Sequence, residues 1–309
     1  MDQLILHNYD FSNYAEKVRV ALGYKDLDWA SVIIPPVLPK PDLVPLTGGY
    51  RRTPVLQIGA DVYCDTRLIV KVLDRLSPQR PLFPPATLGM ATAIAAWAES
   101  ELVRPLILYV SGINQDVMPR ELRTDRAKMR GLPEPSVEAI MRAAQRNAPL
   151  VRVQLPLIEN MLADGREWIC GDRFSVADLA VYHPLWFITD RTDRLQHELA
   201  PYPAIQAWMT RIRAFGHGRQ TTMSAADALD IARDALPRPP GRSSSQPEDP
   251  EPGSLVSIRP DDYAKDNISG ELVFIDDTEI AILTRHERVG DVVVHFPRLG
   301  YDLRAKRAG

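Results

Sequence analysis

The sequence predicts an α/β domain followed by an all-helical bundle, with a small β-rich extension behind a proline- and serine-rich linker. Three observations predict it. Strand and helix patterns alternate up to residue 84, strand signals nearly vanish from Pro85 to Leu236, and short apolar runs return after residue 254. A chain of 309 residues, 45% hydrophobic and 25% charged, is long enough for two or more domains with real cores.

Within residues 1–84, LILHNY reads as a strand, YAEKVRVALGY as a short amphipathic helix and WASVII as a second strand. PPVLPKPDLVPL is too proline-rich for either. VLQI and VYC then form a hairpin through Gly59-Ala60-Asp61. After it, TRLIVKVLDRL places Ile69, Val72, Leu73 and Leu76 on one helical face. The order is βαβ, an irregular segment, then ββα.

Residues 85–236 carry long periodic segments, among them ATAIAAWAESELVRPLILYV, SVEAIMRAAQRNAPLVRVQLPLIENMLADG, SVADLAVYHPLWFITD, YPAIQAWMTRIRAF and SAADALDIARDAL, read as helices of one bundle. PRPPGRSSSQPEDPEPG, residues 237–253, lacks apolar anchors and reads as a linker. ELVFI, TEIAILTRH and DVVVHF, between the turn signals Asp276-Asp277 and Val289-Gly290-Asp291, make residues 254–309 a β module. So few strands need another surface to lean on.

A net charge of −3 implies no large single-sign field, so neither a nucleic acid nor a membrane surface is expected as partner. The start, MDQLILHNYD, carries an acid at position 2 and returns quickly to polar residues, unlike a signal peptide or a membrane span, so a cytoplasmic location is expected. Cys64 and Cys170 are far apart without a CxxC pattern, which speaks against a disulfide framework, a zinc site or a dithiol motif. Both read as structural. No His/Asp/Glu set has metal-ligand spacing, and no metal is expected.

Three stretches in order, YDFSNYAEKVRVAL (Tyr9–Leu22), GGYRRTPVLQIGADVYCDT (Gly48–Thr66) and ICGDRFSVADLAV (Ile169–Val181), resemble the cytosolic glutathione S-transferase family over residues 1 to about 236. The resemblance implies a thioredoxin-like domain (1–84) that binds glutathione as co-substrate, an all-helical domain (85–236) that holds a small apolar electrophile, and a homodimer. Residues 254–309 have no counterpart in that family. The module could cap the active site, extend a dimer interface or dock on the helical domain.

Glutathione chemistry needs a thiolate, and a free cysteine-type thiol ionises only near pH ~8.5. A hydroxyl or helix N-terminus aimed at the sulfur favours the anion, by ~1.4 kcal/mol for each pKa unit gained. Ser12, between the first strand and first helix, resembles the family's serine in this role, and is equally a helix N-cap. Asn13 stands where the family usually has proline. Tyr9 is the rival hydroxyl, or else a core or electrophile-pocket aromatic.

Pro54 resembles the family's cis-proline, with the Thr53 main chain presented to the cysteinyl backbone as an added strand would be. A trans proline on an edge strand is the plain alternative. Asp65 and Thr66 resemble the acid and hydroxyl that hold the γ-glutamyl end at the N-terminus of the third helix, or cap that helix. Arg52, and less so Arg51, suits the glycyl carboxylate. Ser175 and Asp178 have capping-box spacing. His7 and His183 read by default as core or surface histidines, and Trp97, Tyr109 and Trp186 as core aromatics before pocket lining.

The function expected is thus a serine-type glutathione transferase acting on small apolar electrophiles. A non-catalytic glutathione-binding or regulatory protein on the same scaffold is the alternative, ahead of a serine-dependent isomerase or reductive dehalogenase relative.

Overall fold

The computed structural model describes residues 2–306. The first part runs β1 (Ile5–Asn8), α1 (Asn13–Tyr24), β2 (Asp28–Ile33), α2 (Val44–Thr47), β3 (Val55–Ile58), β4 (Asp61–Cys64) and α3 (Thr66–Leu76). A helical part follows: α4 (Leu88–Trp97), a π-helical turn at Ala98–Leu102, α5 (Val103–Ile113), α6 (Arg120–Met129), α7 (Val137–Leu162), α8 (Val176–Thr189) and α9 (Pro203–Arg213). The chain ends with β5 (Arg219–Thr222), α10 (Ala225–Asp234), β6 (Leu255–Pro260), β7 (Ile268–Ile275), β8 (Glu279–His286), β9 (Gly290–Pro297) and β10 (Tyr301–Ala305).

All strands join one ten-stranded sheet in the order β10-β6-β7-β8-β9-β4-β3-β1-β2-β5. The extension therefore leans on the first domain through the edge of β4, which pairs parallel with β9 in the register Asp61↔Val293, Val62↔Val294, Tyr63↔His295. Side chains along this seam reinforce the backbone ladder. His295 stacks on Tyr63 with ring centroids 4.3 Å apart, and its two ring nitrogens meet Asp61 at 3.0 Å and Glu279 at 2.7 Å. Glu279 in turn accepts from Arg75 of α3 at 3.0 Å.

Alternation along the strands divides the core in two. Leu4, Leu6, Leu56, Ile58 and Tyr63 face α1, α3 and the helical part, whose buried residues continue the same cluster. Ile5, Val55, Val62 and Cys64 face the other way, into a second cluster with Leu46 of α2, Ala228, Leu229 and Ala232 of α10, and Ile258, Leu272, Ile282 and Phe296 of the extension. The module thus shares a core with the first domain. Among the described residues, no helix is long and apolar enough to cross a membrane.

Two sequence expectations need correction. The bundle does not extend to residue 236: after α9 the chain returns to the sheet, where β5 pairs parallel with β2 and α10 packs on the second face. RQTT has no apolar residue and all four positions are exposed, so no hydrophobic pattern marks it as a strand. Its approach depends on missing side chains. A Cβ on Gly23 would collide with the backbone of Gly216, and one on Gly218 (φ +72) would lie 2.6 Å from Leu27 O. The proline-rich stretch also holds one helical turn, α2, with Pro45 at its start, where a missing N–H costs nothing, and Gly48 in the left-handed region (φ 61) at its end.

Residues 237–253 contain neither helix nor strand, and they lie along the sheet. Arg238 N donates to Asp61 Oδ2 (3.1 Å), Ser244 N to Ile275 O (2.9 Å) and Gly253 N to Leu272 O (2.7 Å).

Candidate functional site

The register His7↔Val55 between β1 and β3, and Val55↔Cys64 between β3 and β4, fixes one end of the sheet. There the chain leaves β1 toward Tyr9–Ser12, enters β3 from Thr53-Pro54, and leaves β4 into Asp65-Thr66. Two pieces of the extension arrive at this end as well. Tyr63↔His295 brings the end of β9 there, and Tyr301↔Pro260 brings the start of β10 and the loop after β6.

Ser12 is 6% exposed, and its Oγ accepts from Ala15 N at 3.1 Å, capping α1. That bond uses a lone pair and leaves the hydroxyl proton available. Asn13 points the other way, donating to His183 Nδ1 of α8 at 3.1 Å. The Tyr9 hydroxyl accepts from Arg126 of α6 at 2.9 Å, and the ring packs on Phe11.

The Thr53–Pro54 peptide bond is cis. Among the described residues, the N–H and C=O of Thr53 have no hydrogen-bond partner. The Thr53 hydroxyl accepts from Lys40 Nζ at 3.1 Å, and the same ammonium donates to Arg51 O at 2.9 Å. Lys40 is 3% exposed. Burial, with the nearby Arg126 and Arg51, lowers its pKa to about 7. Arg51 and Arg126 both pair with Asp125, which leaves this corner with more cations than carboxylates.

Asp65 holds φ +73, a rare conformation for a residue with a side chain. Its Oδ1 accepts from Arg67 N at 2.9 Å, capping α3, and its Oδ2 accepts from the Tyr301 hydroxyl at 3.3 Å. The Tyr50 hydroxyl lies 3.2 Å from the Tyr301 oxygen, so while the Tyr301 proton is on Asp65 it is Tyr50 that donates to Tyr301. Arg52 turns to the extension: it pairs with the Asp262 carboxylate, donates to Tyr263 O, and stacks on the Tyr263 ring with 3.9 Å from Cζ to the centroid.

Beneath the helix starts lies a buried chain of polar groups. Lys17 Nζ donates to Thr66 Oγ1 at 3.4 Å and to Glu99 Oε1 at 2.6 Å, and His183 Nε2 lies 3.5 Å from that same oxygen. Burial alone would raise the Glu99 pKa, but Lys17 and His183 outweigh it and hold the carboxyl far below its usual range. Glu99 sits in the π-helical turn, a local irregularity that often marks functional positions. Elsewhere, Ser175 and Asp178 form a capping box on α8, Asp178 also accepting from Trp208 Nε1 at 2.9 Å. Tyr109 is tied to Glu198 at 2.5 Å. Burial pushes the Cys64 thiol well above its ordinary pKa, in keeping with a structural residue.

All seven residues proposed from the sequence, Tyr9, Ser12, Arg52, Thr53, Pro54, Asp65 and Thr66, therefore lie at one end of the sheet. Sequence reasoning missed Lys40, Lys17 and Glu99, and the extension's Asp262, Tyr263 and Tyr301, and it read His183 by default as a core or surface histidine, which at 0% exposed lies in the core. Lys40 has a faint signal, being the one cation in a stretch of prolines and aliphatic residues; the others meet only through tertiary structure.

Residues 6–81 match the family model for the glutathione S-transferase N-terminal domain, and residues 128–214 match that for the C-terminal domain. Among solved structures, a GST-like protein from Pseudomonas syringae is 35% identical, with 98% of this chain and 100% of that chain covered and a TM-score of 0.81. That overlap takes in the extension. A glutathione S-transferase from Rhodospirillum rubrum F11 is 21% identical, covering 69% of this chain and 88% of its own, with a TM-score of 0.51. A glutathione transferase homolog from Sulfitobacter with bound glutathione is 16% identical, covering 69% and 94%, again at a TM-score of 0.51. These last two share the fold. No curated protein matches the chain.

Proposed function

The chain belongs to the glutathione S-transferase family, and from that premise we propose that it binds glutathione along Thr53, activates the thiol at Ser12 and transfers it to a small apolar electrophile. The observation that carries this reading is the unpaired main chain of Thr53, at the sheet end where α1 and α3 also begin. A peptide backbone laid antiparallel there gains both hydrogen bonds, as in strand addition. The start of α3, with the Thr66 N–H and hydroxyl, suits the γ-glutamyl carboxylate, and Asp65 suits the adjoining ammonium. The cation-rich corner of Lys40, Arg51 and Arg52 suits the glycyl carboxylate.

In the reaction, the cysteinyl thiol gives its proton to solvent, and the Ser12 hydroxyl donates to the sulfur anion while its oxygen still accepts from Ala15 N. The thiolate attacks the electrophilic carbon, the carbon–sulfur bond forms, and the leaving group departs with its electron pair. Calorimetric titration with glutathione tests the binding. The pH profile of conjugation to a model aryl halide, for wild type and Ser12→Ala, tests the activation: the variant should lose about tenfold or more in kcat/KM at pH 7 as its thiol pKa returns toward ~8.5. Unchanged kinetics would remove Ser12 from the mechanism. As in the family expectation, we infer a homodimer, which sedimentation should show as twice the chain mass.

A second reading, a non-catalytic glutathione-binding protein, is favoured by the bonds that Arg52 and Asp65 make with the extension. Glutathione binding without detectable conjugation would select it.

A further inference from the structure

The extension does more than lengthen the sheet, because its loop after β6 reaches across to the helical part. Asp261 N bonds to Gly300 O at 3.0 Å, and Ala264 N bonds to Met129 O at the end of α6 at 2.6 Å. Between these anchors, Asp262 pairs with Arg52, and Tyr263 lies on the Arg52 guanidinium. From the neighbouring strand, Tyr301 donates to Asp65. The two ends of the tripeptide cradle therefore already hold groups of the right chemistry. A carboxylate sits on the arginine meant for a carboxylate, and an O–H donor sits on the aspartate meant for an ammonium. The middle, the Thr53 main chain, is left unpaired among the described residues.

We propose that Asp261–Ala264, together with Tyr301, is a built-in occupant of the glutathione site, so that glutathione binds only by displacing this strap from Arg52 and Asp65. The inference rests on the glutathione-binding reading above. Exposure agrees with a displaceable contact at Arg52, whose side chain is 10% exposed while that of Asp262 is 55% exposed, so the aspartate can return to water; Tyr301 stays in the core and lets go of Asp65 by turning its hydroxyl to Tyr50. It also sharpens ligand choice. A ligand with both a terminal ammonium and a distal carboxylate can replace both contacts, whereas a dipeptide lacking either end replaces one.

The test uses the full chain, with glutathione as the probe. Asp262→Ala should bind glutathione on the order of tenfold more tightly by calorimetry, as expected for removal of one charge-assisted competitor. Tyr301→Phe should tighten binding less and keep the fold. Lys265, exposed just beyond the strap, gives an independent readout through its rate of tryptic cleavage. Saturating glutathione should speed cleavage in wild type, and Asp262→Ala should be fast without ligand. Equal affinities in wild type and both variants, or cleavage unaffected by bound glutathione, would overturn the strap while leaving the glutathione site standing. If no form binds glutathione while Asp262→Ala still speeds cleavage, the binding reading fails and the competition proposed here fails with it.

Discussion

His295 is the most informative place to perturb the seam between first domain and extension. Its imidazole lies between Asp61 and Glu279, whose side chains are 2% and 6% exposed, with Arg75 on the far side of Glu279, Arg238 4.0 Å from Asp61 and Lys71 nearby on α3. Burial disfavours the charged ring, but the two carboxylates outweigh it and hold the pKa above its ordinary 6.5. Because the folded value is raised, the stabilisation is fully present below about pH 6.5 and is lost as pH rises through the folded pKa. Each unit of elevation is about 1.4 kcal/mol.

His295→Ala removes the charge and the Tyr63 stack. Uncoupling a buried pair costs about 3–5 kcal/mol, and because Glu279 keeps Arg75 and Asp61 keeps the Arg238 N–H, about 3 kcal/mol is expected at pH 6. The five tryptophans, Trp29, Trp97, Trp168, Trp186 and Trp208, all lie outside the extension, so intrinsic fluorescence would miss a local opening. Hydrogen exchange at the Val293 amide, which donates to Ala60 O across the seam, reads it directly. Protection in wild type should exceed that in the variant at pH 6, with the gap closing toward pH 9 after correction for intrinsic exchange. A gap that stays constant or widens with pH, or an imidazole that titrates by NMR at or below 6.5, would refute the argument.

Other perturbations follow from the same contacts. Glu99→Ala strands the Lys17 ammonium, which is 1% exposed, and should cost about 3–5 kcal/mol in chemical unfolding, whereas Lys17→Met with Glu99→Leu should recover most of it. Gly23→Ala drives a methyl group into the Gly216 backbone and should cost about 2 kcal/mol or more, with amide protection lost first in β5. Asp178→Ala leaves Trp208 Nε1 and the Ile169 and Ser175 amides unpaired, and should lower stability by about 3 kcal/mol or more by thermal melting, with Asp178→Asn losing less.

The parts of this fold that were legible are those written in local pattern. VLQI, DVYC and TRLIVKVLDRL carry their own periodicity, and Ser175 with Asp178 announces the start of α8 by spacing alone. The residues gathered near Thr53 were readable only because three separate stretches kept a familiar order. What was not legible depends on distance in the chain. RQTT is a strand because two glycines let it approach β2, not because of its own side chains. SAADALDIARDAL was readable as a helix, but its apolar face, Ala228, Leu229 and Ala232, fits a sheet as well as it fits a bundle. Asp262 and Tyr263 look like loop residues until the β4–β9 ladder, closed over more than two hundred residues, carries them to Arg52.

That ladder also bears on any attempt to shorten the protein. The sheet's outer strands are β5, with polar exposed side chains, and β10, YDLRA, which carries alternating charges; both discourage pairing with another molecule. A chain trimmed at Leu236 to the length of an ordinary two-domain transferase would instead bare the β4 edge, with Val62 and its neighbours now buried under the extension. Such a fragment would gain a flat, apolar, unpaired strand and the insolubility that comes with it. The last fifty residues are in this sense the protein's protection against edge-to-edge strand pairing at β4.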